Sequence, residues 1–200
     1  MELIGIFGLS HAHIIDPVGI LGFSDKVELF LKPKLGSRYV FYMAKAIFER
    51  VELERKLKER RKTDFSAMAD FLSTRVRTRH SIIVISDFIE FMNDGSVVDP
   101  DLLRHLSSKH DILFVFLDDP GEFAAKGKLG YVRVSNIETG EQAVISLRKL
   151  KQINREIKER RNKLQERLVK TGIDSVVLTY GNHLFELNKF FSMRRNIVRN

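Results

Sequence analysis

The 200-residue sequence contains no cysteine. Disulfides, thiolate metal sites and a cysteine nucleophile are therefore excluded. The absence fits a reducing compartment, and the cytoplasm is the expected location. Long apolar runs are also missing, for none approaches the roughly 20 residues a helix needs to span a bilayer. The opening segment Met1-Glu-Leu-Ile-Gly-Ile-Phe-Gly-Leu9 is apolar, but it carries Glu2 and no basic residue, so it does not read as a secretory signal. There is no P-loop, no Gly-x-Gly-x-x-Gly and no Gly-x-Ser-x-Gly. Internal repeats and a convincing linker are lacking as well, and residues 1–200 read as one domain.

What is present describes a globular chain: 44% hydrophobic and 30% charged residues, with a net charge of +8. The charge is unevenly placed. Residues 148–170 hold ten Lys/Arg against three Glu, a net of +7.

Periodicity predicts strands alternating with helices. Val18–Phe23 and Val27–Leu31 read as a hairpin, with Pro33, Gly36 and Ser37 in the loop after it. Tyr39–Phe48 has helical spacing and continues as a charge-dense extension over Glu49–Lys62. Thr63 or Ser66 is placed to cap a helix through Arg75, with Phe65, Met68, Ala69 and Leu72 inward. Ser81-Ile-Ile-Val-Ile-Ser-Asp-Phe88 reads as a buried parallel strand that delivers Ser86 and Asp87 at its C-terminal end, the edge where open α/β sheets bind ligands. Asp99-Pro100 opens a helix with Leu102, Leu103 and Leu106 inward. Asp111–Leu117 is a second buried strand that ends in Asp118-Asp119-Pro120. A small hairpin follows (Gly130–Val134 and Ala143–Ser146), turning at Glu138-Thr-Gly-Glu141. Leu147, Leu150, Ile153, Ile157, Leu164 and Leu168 form the apolar stripe of a long basic helix that stops at Thr171-Gly172. Ser175–Thr179 is the last strand, and Gly181–Phe191 a closing helix. This order argues for a three-layer α/β fold with a mainly parallel sheet.

Several short motifs, taken in order, resemble the von Willebrand factor A-like proteins of unknown function that are often encoded beside MoxR-type AAA+ ATPases. They are Asp16-Pro-Val-Gly19 with Phe23-Ser-Asp25, Lys62-Thr-Asp64, Ser86-Asp87-Phe88, and His110-Asp-Ile-Leu113 with Asp119-Pro-Gly-Glu122. Glu138-Thr-Gly140 and Leu187–Arg194 complete the set. The resemblance implies a doubly wound sheet of order 3-2-1-4-5-6 and a cation above it, held by an Asp-x-Ser-x-Ser, a Thr and an Asp. Thr63 falls at that Thr and Asp87 at that Asp, but Asp-x-Ser-x-Ser is absent. Two oxygen side chains are too few to hold Mg²⁺ or Mn²⁺. The expected site is thus vestigial, with Thr63 capping a helix and Asp87 accepting backbone N–H bonds. Mg²⁺ or Mn²⁺ would return only with the missing motif.

By the same resemblance Glu2–Asp16 is the family's first helix, and the chain is expected to begin after the central strand. That loss would expose two strand edges and invite self-association. A partner or second copy lending a strand, or Leu3–Leu9 refolding into the slot, are the alternatives. The implied role is a non-enzymatic module that works with a MoxR-type AAA+ ATPase on another protein. Its binding edge would comprise Ser24, Thr63, Ser86, Asp87 and Asp119. The runner-up is a nucleic-acid-associated protein that uses the basic helix, with Arg155, Lys158 and Arg161 on phosphates. Asp118-Asp119 reads as a turn rather than a catalytic pair. Among the histidines, His11 and His13 would share a face only on a strand, where nickel or zinc capture becomes conceivable. His80, His105, His110 and His183 read as surface or capping residues.

Overall fold

The computed structural model describes residues 2–13, 16–57, 63–89, 100–118, 130–135, 142–179 and 181–198. The chain gathers into two compact units, Met1–Phe71 and Leu72–Asn200. The parallel sheet lies in the second.

The first unit holds α1 (Glu2–His13), β1 (Val18–Phe23), β2 (Val27–Lys34) and α2 (Ser37–Leu57). β1 and β2 pair antiparallel, with Leu21 opposite Phe30 and Gly22 opposite Leu29. β2 runs past Leu31 through Pro33, further than its alternation suggests, and the register shifts between Val18 and Ile20. A bulge of this kind is where a strand tolerates proline. Leu3–Leu9 is helical, so it does not refold as a strand. Gly5 and Gly8 lower helix propensity, but Gly8 has a packing reason: a Cβ there would meet Val40 Cγ1 on α2 at 2.6 Å. Its missing side chain lets the two helices approach closely. Because the segment is a helix, the strand geometry on which metal capture by His11 and His13 depended is gone.

α3 (Phe65–Arg75) leads from the first unit into the second. Phe65, Met68, Ala69 and Leu72 are buried, as their spacing predicts. The capping residue is Asp64 rather than Thr63 or Ser66. Asp64 Oδ1 accepts the Ser66 N–H at 2.8 Å, so the carboxylate satisfies a donor that the first helical turn leaves open.

The second unit is built on β3 (Ser81–Ser86), β4 (Asp111–Asp118) and β7 (Asp174–Thr179), a parallel sheet in the order β3-β4-β7. Ser81 lies opposite Asp111, Ser86 opposite Phe116, and Asp118 opposite Thr179. β4 is central, and Ile112–Phe116 are all buried, which is why this strand reads as an unbroken apolar run. α4 (Pro100–Lys109) joins β3 to β4, and its Leu103 and Leu106 are buried while Leu102 is half-buried. β5 (Tyr131–Ser135) and β6 (Gln142–Ser146) form the small antiparallel hairpin, whose turn at residues 136–141 lies outside the described residues.

α5 (Leu147–Lys170) starts at Ser146, whose side chain accepts the Lys149 N–H, and stops at Thr171-Gly172. Gly172 has φ +76°, and Ile173 N–H reaches Leu168 C=O at 2.9 Å while Gly172 N–H reaches Val169 C=O at 3.1 Å. This is the glycine-dependent helix stop that the sequence predicts. α6 (His183–Val198) closes the described chain, and its Arg194 pairs with Asp111 and, at 3.1 Å, with Asp174. One guanidinium thereby holds the starts of β4 and β7.

Three separate sheets are found among the described residues, not one continuous doubly wound sheet. β1 pairs only with β2, and β3 only with β4, so each has one open edge among those residues. Among them, no helix is long and apolar enough to cross a membrane.

Candidate functional site

The C-terminal edge of the parallel sheet presents Ser86 and Asp87 at the end of β3 and Asp118 at the end of β4. Immediately after β3 the chain makes a tight turn that its own side chains brace. Ser86 Oγ accepts the Phe88 N–H at 3.0 Å, and Asp87 Oδ1 accepts the Ile89 N–H at 3.1 Å. Phe88 adopts φ +58°, unusual for a bulky residue. Burial explains why it is tolerated. The Phe88 ring is fully inaccessible, stacked 4.8 Å from Phe114 and tilted at 45° against Phe116 with 4.5 Å between centroids. These contacts are worth more than the roughly 1–3 kcal/mol of such backbone strain. The aromatic anchor thus fixes a turn that leaves Asp87 exposed.

Asp118 does not stand free. Arg161, at the middle of α5, faces it with both terminal nitrogens: Nη1 to Oδ2 at 3.0 Å and Nη2 to Oδ1 at 3.1 Å. Arg161 is 7% exposed, and its Nε has no hydrogen-bond partner among the described residues. A fork-to-fork pair of this kind is strong and directional. It ties the C-terminal end of β4 to the long helix. Asp119 lies outside the described residues.

The placement of Arg161 corrects the sequence reading, which put it with Arg155 and Lys158 on a phosphate-binding face. Arg155 and Lys158 are exposed, whereas Arg161 is at a buried position of the apolar stripe. A helical step of four from Ile157 and three to Leu164 puts it there. The signal was in the sequence, where the stripe has a gap that Arg161 fills.

Ser24 and Thr63 belong to the first unit, Ser86 and Asp87 to the second. Ser24 Oγ donates toward Asp25 Oδ1 at 3.0 Å or Glu28 Oε1 at 3.2 Å, and its C=O accepts the Asp64 N–H at 2.8 Å. That last bond brings the β1–β2 turn beside Thr63 and the start of α3. Glu28 also pairs with Arg50 of α2, which reaches Glu54 at 2.9 Å. Among the described residues no group of three or more His, Asp or Glu side chains is gathered as a cation site. Asp87 gives Oδ1 to the Ile89 backbone N–H, and its side chain is otherwise exposed.

His110, expected at the surface or as a cap, is buried to 1% exposure. It follows α4 and precedes β4, and its Nδ1 faces the His80 N–H at 3.4 Å. Nε2 is buried without a partner among the described residues. Burial, reinforced by the charges of His80, Lys109, Arg79 and His105, pushes its pKa below the ordinary histidine value. The nearby sequence held no signal for this, because burial of His110 follows from its position between α4 and the sheet.

These features define a mixed α/β protein with a parallel sheet whose C-terminal edge carries a rigid, carboxylate-bearing turn. The chain belongs to the DUF58 family, described as proteins of unknown function, whose profile matches residues 2–167. Searches of the curated proteins and of the solved structures each found no match.

Proposed function

We propose that the protein is a non-enzymatic interaction module of von Willebrand factor A-like type, working with a MoxR-type AAA+ ATPase in the assembly or remodelling of another protein. The observation that carries this reading is the Ser86–Asp87–Phe88 turn. It offers an exposed carboxylate at the ligand edge of a parallel sheet, held in a strained conformation by a fully buried ring. Strain kept at such a position is characteristic of binding sites. The order of short motifs that resembles the MoxR-associated proteins supports the identity of the partner. In the test, the tagged protein is mixed with the MoxR-type ATPase encoded nearest to it and captured. The ATPase should be retained by the wild type and lost with Asp87→Ala. Retention unaffected by Asp87→Ala would remove the turn as the docking point, and no retention by the wild type would remove the partner.

A second reading rests on the exposed basic face of α5. Arg155→Glu with Lys158→Glu should abolish binding to duplex DNA or RNA at low salt if that face holds phosphates. Arg161 is left out of this variant because its reversal would break the buried pair with Asp118.

A further inference from the structure

Between α4 and the last turns of α5 lies a groove of about 400 Å³. Among the described residues, its apolar surface comes from Pro100, Leu103 and Leu164, and its cations are Arg104, Arg167 and Lys170. The two helices are braced at one end, where Ser107 Oγ donates to the Thr171 C=O at 2.6 Å. Arg104 is engaged by Asp101 at 2.6 Å. Arg167 and Lys170 are exposed and make no ion pair among the described residues.

We propose that this groove docks an acidic segment of a partner protein through a large aliphatic side chain flanked by carboxylates. The proposal rests on the interaction-module reading but places a contact that the sheet edge does not supply. The volume suits a small apolar anchor, within the roughly 300–1,000 Å³ typical of recognition pockets. The described lining joins cations to a mainly apolar surface, so the complementary ligand carries both an apolar group and negative charge. A nucleic acid matches this less well, for its bases stack on aromatic rings and none of the described lining residues is aromatic. Arg167 and Lys170 sit in the last turn of α5, where helix-dipole stabilisation alone would account for two cations. It does not account for the apolar surface beside them or for Arg104 across the groove.

The probe is a fluorescein-labelled peptide, Asp-Glu-Leu-Asp-Glu-Leu-Leu-Asp-Glu, titrated with the full chain by anisotropy at low salt. Saturable binding is expected, weakening with added salt. Arg167→Glu with Lys170→Glu should weaken it by about tenfold or more, as should replacing the peptide's leucines with serine. Arg155→Glu with Lys158→Glu carries the same charge change earlier on α5 and should leave the affinity within about twofold. Circular dichroism checks that the exposed variants remain folded. Absence of saturable binding overturns the proposal. So does equal affinity for the serine peptide or for polyuridylate, or equal affinity of the Arg167/Lys170 variant. The ATPase capture separates the two readings. Capture without peptide binding removes the groove and leaves the sheet edge, whereas peptide binding without capture does the reverse.

Discussion

Two buried polar side chains, Arg161 and His110, set the residue-scale behaviour of this protein. Removing one partner of a buried ion pair leaves the other charge uncompensated. Because Asp118 retains 35% side-chain exposure, Arg161→Met should cost about 3 kcal/mol, the lower end for such pairs. Urea denaturation checks this, and Asp118→Leu combined with Arg161→Met should recover part of the loss. A single variant as stable as the wild type would show that the pair contributes nothing. His110 makes stability pH-dependent in a defined direction. Its folded pKa lies below the ordinary histidine value of 6.5, so the unfolded chain binds its proton first as pH falls. The contribution is complete above the unfolded pKa and is lost progressively as pH drops from there through the folded pKa. Melting temperature should therefore fall between pH 7.5 and 5.5, and the fall should be smaller in His110→Gln. An equal slope in the variant would assign the effect to other groups. The gap in the α5 stripe made Arg161 legible in the sequence. His110 was not, because its neighbours 30 residues away in sequence, at His80, are brought to it only by β3–β4 pairing.

At the scale of elements, local rules located most helices and strands. Period-two alternation found β2, the unbroken apolar run found β4, and the heptad-like stripe with Thr171-Gly172 found α5 and its end. The cap of α3 falls on Asp64, between the expected Thr63 and Ser66, since all three are capping types and only backbone geometry selects among them. Asp64→Ala should cost about 1 kcal/mol in the same urea measurement, and Asp64→Asn much less, because Asn keeps the acceptor. Equal losses in both variants would mean that charge, not the cap, is responsible. The α1 segment shows the opposite case. Two glycines argued against a helix by propensity, yet Gly8 serves helix packing against Val40, a tertiary gain that outweighs about 1 kcal/mol of propensity.

At the scale of the whole molecule, stability should be graded outward from β4, the strand paired on both sides and buried along Ile112–Phe116. Native-state hydrogen exchange should find the β4 amides the slowest in the chain, opening only with global unfolding, and the β5–β6 hairpin faster. Faster exchange in β4 than in β5–β6 would contradict this ordering. By itself the sequence determined the alternation of strands and helices and the uneven placement of charge. These follow from periodicity, composition and short motifs, which are local along the chain. Tertiary structure alone decided that the strands form three sheets among the described residues and that Arg161 turns inward to Asp118. It also buried His110 and Phe88 and opened a groove between α4 and α5 that joins cations to a mainly apolar surface. Each of these depends on residues far apart in sequence meeting in space, and burial and pairing energies are fixed only once they meet.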